Sequence, residues 1–411
     1  MTIDDWDAEA SALDSADPLR PYRDRFVGAE TPLVYFDGNS LGRPLRVTAE
    51  RIAAFVADEW GGRLIRAWDE SWMDLPYTLG DALGTSVIGA APGQTVVGDS
   101  TTVLLYKLVR AAFDAQAAAD PRRVELVIDT DNFPTDRYVV EGIAAERGGR
   151  VRWIEADRAS GVDAEQLGRA LVPQTALVVL SHVAYRSGYM ADGAALTTLA
   201  HDAGALMLWD LCHSAGSVPV ALDAWGADLA VGCTYKYLGG GPGSPAFAYV
   251  ADRHQQTLSQ PIQGWMGAQD VFAMGPEYMP GPGMRRFLSG TPSILAMQPL
   301  RDSLEVIADA GIDAIRAKSV QLTGFAVRVA DELLAPLGVT LASPADPARR
   351  GGHVTLSHPA MRRVTAQLWT QDVIPDYRDP DGLRIGLAPL SVSFAETLRG
   401  LRAVADAVRD A

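Results

Sequence analysis

Leu229-Ala-Val-Gly-Cys-Thr-Tyr-Lys236, running straight into Tyr237-Leu-Gly-Gly-Gly-Pro-Gly243, is the stretch on which the fold turns. Its first four residues are apolar or small without alternation, which reads as a strand buried on both faces. A lysine stands where that strand gives way to a glycine run, which is no place for a plain surface lysine. Upstream, Ala205-Leu-Met-Leu-Trp209 reads as a second such strand, and it ends in Asp210. Asp210 and Lys236 therefore fall at the same edge of one sheet, where open α/β sheets bind ligands.

The flanking sequence supplies the rest of that sheet. Residues 124–128, 151–154 and 176–180 read as strands, residues 136–147 and 194–203 as helices, and residues 247–250 as a further strand. Apolar strands alternating with helices imply a mainly parallel sheet covered on both faces. Beyond residue 293 the texture changes to two long helical stretches, 294–310 and 312–334, and then strands at 353–357 and 383–387. The expected organisation is α/β: an N-terminal segment over residues 1–65 packing with the small domain, a large domain over 66–300, and a smaller α+β domain over 301–411.

The 411 residues are 48% apolar and 21% charged, ordinary globular usage that excludes a disordered or fibrous chain. A formal charge of −15 opposes binding to nucleic acid or an anionic membrane surface. No run approaches the ~20 apolar residues of a membrane helix. The start, MTIDDWDAEA, has neither the basic end nor the apolar core of a secretory signal. With only two cysteines, Cys212 and Cys233, a cytoplasmic, reducing location is expected.

An Asp at one strand end and a Lys at the next suit one cofactor in particular. Pyridoxal phosphate needs a lysine for its aldehyde and an anion to keep its ring nitrogen protonated. Its phosphate needs an anion site, and Gly98-Asp-Ser-Thr-Thr-Val103 precedes a helical stretch with apolar residues at Leu104, Leu105, Leu108 and Ala112. Such a helix start offers free amides and hydroxyls, either as an ordinary cap or as an anion site. Near the C-terminus, Leu383, Ile385 and Leu387 alternate with Arg384. That arginine, flanked by small residues, can present its fork to a ligand carboxylate or form a structural ion pair.

Rival chemistries fit less well. Gly241-Pro-Gly-Ser-Pro-Ala246 has the letters of a dinucleotide fingerprint, yet a strand follows it and prolines occupy the turn. Asp210, Cys212 and His213 make a poor metal site, because alternation points Cys212 and His213 apart and no spaced partner pair follows; no metal is expected. His353 and His358 flank a strand and read as structural. Nothing matches the Gly-x-Ser-x-Gly of serine hydrolases.

Six motifs resemble one family in order: Phe36-Asp-Gly-Asn-Ser-Leu-Gly42, Asp99-Ser-Thr-Thr-Val103, Asp210-Leu-Cys-His-Ser-Ala-Gly216, Gly232-Cys-Thr-Tyr-Lys-Tyr-Leu238, Gly264-Trp-Met-Gly267 and Phe287-Leu-Ser-Gly-Thr-Pro292. Together, from about Tyr35 to Phe394, they are similar to the kynureninases. The resemblance implies a homodimeric pyridoxal-phosphate enzyme of fold type I, the aspartate-aminotransferase fold, that cleaves kynurenine or 3-hydroxykynurenine hydrolytically to the anthranilate and alanine. By motif it implies a phosphate pocket of Thr101, Thr102 and Tyr235, completed by Trp265 and Thr291 from the partner subunit. It implies Phe133 stacked on the pyridine ring, Asp210 on the ring nitrogen with Asp136 and His213 close by, and Ser181 touching the cofactor. Lys236 would hold the cofactor covalently and serve as base, with Tyr235 relaying a proton. Arg384 would hold the substrate carboxylate, and Ser40 and Gly62 would border its aromatic ring.

Two positions depart from the family pattern: Gly239 stands where Asn is expected, and Ala268 where His is usual. Other readings on the same scaffold are a desulfurase or aminotransferase, or a binding protein that kept the fold. A desulfurase needs a mobile cysteine in the last third of the chain, and both cysteines here precede it.

Overall fold

The computed structural model describes residues 3–411. Seven strands form the central sheet: β1 (Thr95–Gly98), β2 (Glu125–Asp129), β3 (Arg150–Ile154), β4 (Thr175–Ser181), β5 (Leu206–Asp210), β6 (Leu229–Gly232) and β7 (Ala246–Val250). Their spatial order is β1-β7-β6-β5-β4-β2-β3. All pairs are parallel except those made by β7, which runs against both β1 and β6. The two sides of the sheet are equally dry. Met207 and Trp209 pack into the core on one side, while Leu208 joins Leu229 and Val231 on the other. Alternate residues of an extended strand point to opposite faces, so two buried faces demand unbroken apolar runs.

Helix α1 (Thr101–Ala119) follows β1, with the Ser100 side chain accepting a hydrogen bond from the Val103 amide. Leu104, Leu105, Leu108 and Ala112 face the sheet and are buried. Helix α2 (Pro134–Arg147) starts on a proline, whose missing N–H costs nothing at a helix start, and stops at Gly148 in the left-handed region. Helix α3 (Ile294–Ala310) lays Met297, Leu300, Leu304 and Ile307 against the large core.

The smaller sheet contains β8 (Thr340–Leu341), β9 (His353–Ser357), β10 (Asp376–Arg378) and β11 (Gly382–Gly386), antiparallel in the order β10-β11-β9-β8. Phe325, Ile385, Phe394 and Leu401 share its core with Trp6 and Phe36 from the N-terminal segment. The turn that follows Phe36 is pinned between the two sheets. Gly386 N donates to the Phe36 carbonyl at 2.6 Å, and Gly42 N to the Tyr235 carbonyl at 2.8 Å. A Cβ on Gly42 would stand 2.6 Å from the Lys236 carbonyl oxygen, so only glycine lets the turn reach the lysine loop. Among the described residues no helix is long and apolar enough to cross a membrane.

Candidate active site

Two walls face each other across the cleft. On the large-domain wall, Ser181 and Asp210 are register neighbours at the ends of β4 and β5. Asp210 Oδ1 accepts from the Cys212 amide at 2.8 Å, and Oδ2 lies 3.3 Å from the Ser181 hydroxyl. Ser181 Oγ also lies 3.2 Å from Asn132 Oδ1, and Asn132 Nδ2 donates to Asp129 Oδ2 at 2.9 Å. Burial pushes the Asp129 carboxyl up to about 6. Phe133, next along, turns a partly exposed ring into the cleft 5.9 Å from Lys236 Nζ, with Tyr185 packed edge-on against it at 5.4 Å. Asp136 is buried with Oδ2 unpartnered; burial first and then the Asp210 charge push its carboxyl well above the usual range, against the pull of Lys236.

Lysine usage singles out one residue. The chain has three lysines. Lys107 is buried against Asp99 at 2.6 Å and donates to the Phe287 carbonyl, and Lys318 is buried against Asp17 at 2.7 Å. Among the described residues Lys236 pairs with no carboxylate; its Nζ lies 3.0 Å from His213 Nε2. Burial, then the positive charges of Lys236 and Arg384, hold the His213 imidazole well below its ordinary value, so it is neutral. Tyr235 is half-buried, and burial together with the neighbouring thiols of Cys233 and Cys212 pushes its hydroxyl up, so it stays protonated. Those thiols touch each other's backbone across β5 and β6 and sit in the sheet edge, not on a mobile loop.

Thr101 and Thr102 open α1, where the first amides have no partner within the helix. Asp99, just before them, adopts φ +47° and turns its carboxylate to Lys107. That pairing takes a negative charge away from the helix start, which remains suited to an anion.

Arg384 projects from β11 on the small-domain wall and is fully buried. Its Nη2 meets Asp376 Oδ2 at 2.5 Å and Ser40 Oγ at 2.7 Å, and Nη1 donates to the Tyr185 carbonyl at 2.8 Å. Arg384 Nε is buried without a partner. His353 on β9 pairs directly with Gly386, and its ring centroid is 5.4 Å from that of His213. The strand signal suggests a structural histidine, and the tertiary fold buries it beside His213. Asn39 fills the space a side chain at Gly386 would need. Asn39 and His353 were not legible as site residues, because only the docking of the N-terminal turn onto the small sheet puts them there.

The structure brings together Lys236, His213, Phe133, Asp136, Asp210 and Ser181 on one wall, and Arg384 and Ser40 on the other. Trp265, Thr291 and Gly62 lie exposed in this single chain; Trp265 packs against Phe272, and the Gly62 carbonyl takes Arg66. Gly239 adopts φ +62°. Glycine and asparagine are the residues that tolerate this left-handed region, which explains why one can replace the other here. Ala268 is half-buried beside Pro280.

The fit to pyridoxal phosphate rests on the donor set. The chain offers a lysine with no carboxylate partner among the described residues, a carboxylate held by two hydrogen bonds, an orphaned Asp136 oxygen, an exposed aromatic face and an open helix start. Fold and site together define a fold-type I enzyme of the aspartate-aminotransferase class. In keeping with the fold, C-DES, a cystine C–S lyase solved with glycine covalently linked to its PLP cofactor, superposes with a TM-score of 0.82 at 22% identity, covering 93% of this chain and 99% of that one. The chain belongs to the kynureninase family. Residues 315–404 match the Kynureninase C-terminal domain. It is 43% identical to the kynureninase of Pseudomonas fluorescens over 94% of this chain and 91% of that one, and 42% identical to that of Burkholderia pseudomallei (strain 1106a) over 97% and 94%.

Proposed function

We propose that the protein uses pyridoxal phosphate to cleave kynurenine, or its 3-hydroxy derivative, hydrolytically between Cβ and Cγ, giving the anthranilate and alanine. The observation that carries this is Lys236: alone among the three lysines it pairs with no carboxylate, and it stands at the sheet edge beside the strand that ends in Asp210. When bound, the cofactor supplies an electron sink for negative charge at the substrate Cα.

The protein's own groups do the rest. Thr101 and Thr102 receive the phosphate at the start of α1, and Tyr235 lines the same pocket. Phe133 would offer its ring face to the pyridine ring, Asp210 would pair with the ring nitrogen, and Ser181, Asp136 and His213 would lie close by. Lys236 would hold the cofactor, and its Nζ, beside His213 Nε2, would be the base for the proton at the substrate Cα. Arg384 holds the α-carboxylate through its buried unpartnered Nε, the rest of the guanidinium being fixed by Asp376, Ser40 and the Tyr185 carbonyl. The Tyr235 hydroxyl, kept protonated by burial, donates to the carbon released by bond cleavage. Ser40 and Gly62 border the aromatic ring.

The assembly reading is a homodimer with shared sites, Trp265 and Thr291 each completing the neighbour's phosphate pocket. Supporting it, Trp265 and Phe272 pack edge-on at the surface, and Met274 and Ile65 are exposed by 73% and 77%. Large apolar groups left in water in this way mark surfaces that a partner covers. The domain reading keeps units at 1–65, 66–300 and 301–411, and the location reading is cytoplasmic. Adding kynurenine or 3-hydroxykynurenine to the purified enzyme and following the fluorescence of the anthranilate released tests the activity; no product from either substrate with the cofactor bound would sink it.

A further inference from the structure

His213 Nδ1, both ring nitrogens of His353 and both polar side-chain atoms of Asn39 are buried without hydrogen-bond partners. Asn39 and His353 are 0% exposed. They form one patch, since His353 is the direct cross-strand neighbour of Gly386 and Asn39 covers Gly386. None of these atoms is used by the reaction as described. We propose that His353, backed by Asn39, is a positioning residue for His213: its imidazole hydrogen-bonds His213 Nδ1 and so fixes the tautomer that His213 Nε2 presents to Lys236. The inference rests on the reading of Lys236 as the cofactor lysine.

The geometry supports a direct contact. The ring centroids are 5.4 Å apart with planes tilted by 60°. An N–H···N bond of ~3 Å between nitrogens ~1 Å from their centroids spans ~5 Å, so a small ring rotation completes it. In a neutral imidazole one nitrogen donates and the other accepts, and the partner of one nitrogen dictates the state of the other. When Lys236 Nζ donates to His213 Nε2, the single ring proton of His213 sits on Nδ1 and needs an acceptor. His353 supplies it, with its own N–H turned to Asn39 Oδ1 or the Arg186 carbonyl.

The charges around the pair keep it neutral. Lys236 faces it from the large domain, with Arg186 approaching through its carbonyl; Arg384 and Arg378 face it from the small sheet. Asp37 and Asp376 are turned to Arg384, and the Tyr237 hydroxyl is buried beside it. Burial and these cations disfavour a charged ring on either histidine, so the pair is held neutral and His353 sets which neutral tautomer His213 adopts.

The test is the pH titration of the bound cofactor's absorption in the substrate-free holoenzyme, for wild type, His353→Leu and His353→Gln. Leucine fills the site without hydrogen bonding and should move the midpoint by about 0.5 pH unit or more, with kcat about tenfold lower and KM within about twofold. Glutamine keeps a donor and an acceptor and should titrate within about 0.2 unit of wild type. A folded leucine variant that titrates like wild type, or a glutamine variant that shifts as far as leucine, overturns the proposal. Should the leucine variant not fold, His353→Met takes its place under the same criteria. A wild type without any cofactor band removes the reading of Lys236, and this proposal with it; a normal band with unmoved variants overturns the proposal alone.

Discussion

On the large-domain wall Asp210 has both carboxylate oxygens engaged, by the Cys212 amide and the Ser181 hydroxyl, and a hydrogen-bonded chain leads back through Asn132 to Asp129. On the small-domain wall Asn39 and His353 contribute four buried polar atoms that have no partner, and Arg384 leaves Nε free. Each unsatisfied buried group costs roughly 1–3 kcal/mol. The contrast follows the lifetimes of the occupants. On the proposed roles, the carboxylate that would meet a resident cofactor is braced from within, so its charge is in place beforehand, although Asp136 Oδ2 and His213 Nδ1 on the same wall are also unpartnered. On the same roles, a wall that meets a transient substrate keeps donors and acceptors open at the expense of stability.

Removing the lysine amine should break this contrast most severely. Lys236→Ala is expected to lower turnover by ~10⁴-fold or more, because one group both holds the cofactor and moves the proton. Anthranilate fluorescence measures the loss, and borohydride reduction with peptide mapping should place the pyridoxyl label on Lys236. A label on Lys107 or Lys318 would overturn the assignment; both are already committed to buried ion pairs.

The braced carboxylate comes next. Asp210→Asn keeps the shape and much of the hydrogen bonding but removes the charge that holds the ring nitrogen protonated. At ~1.4 kcal/mol per pK unit, a turnover loss of about 10³-fold is expected with cofactor still partly bound. Near-normal kcat in that variant would show the large-domain wall to be structural rather than electrostatic.

Arg384 sharpens the comparison from the other side. Arg384→Lys retains charge but cannot keep the Asp376, Ser40 and Tyr185 contacts that aim Nε, and should lose ~10²-fold in kcat/KM through misorientation, and Arg384→Ala should lose more. The resting cofactor spectrum should hardly change in either. If kcat/KM in the alanine variant stayed within a factor of a few, the Asp376 and Ser40 contacts would be the whole purpose of this arginine.

The smallest effect is on stability. His182, directly after Ser181, is fully buried between Trp209 and Trp225, with Nδ1 3.0 Å from Ser214 Oγ. Burial pushes its imidazole down to about 4 from the ordinary 6.5. The unfolded chain therefore binds this proton first as pH falls. The stabilisation is complete above pH 6.5 and is lost as pH drops toward 4, by about 3 kcal/mol. His182→Gln should remove that slope, so the wild-type advantage in Tm over the variant should narrow between pH 7 and 4.5. Parallel Tm curves would show that His182 is not buried neutral.

The apolar runs at residues 205–209 and 229–232 determined by themselves that Asp210 and Lys236 share one edge of a buried sheet, because a strand dry on both faces admits no other reading and a strand's end fixes where its next side chain goes. The order of motifs from Tyr35 to Phe394 likewise carried the family. What the sequence could not contain were contacts between distant segments. Whether Lys107 and Lys318 were neutralised and Lys236 was not depended on Asp99 and Asp17, and the second of these lies some three hundred residues away in the chain. His353 looked like any histidine at a strand start, and Asn39 like any turn residue. Only the docking of the 37–42 turn between the two sheets buried them beside His213 and Arg384. Hydrogen-bond satisfaction is a property of three-dimensional neighbours, and no local pattern records which buried polar atoms will be left without one.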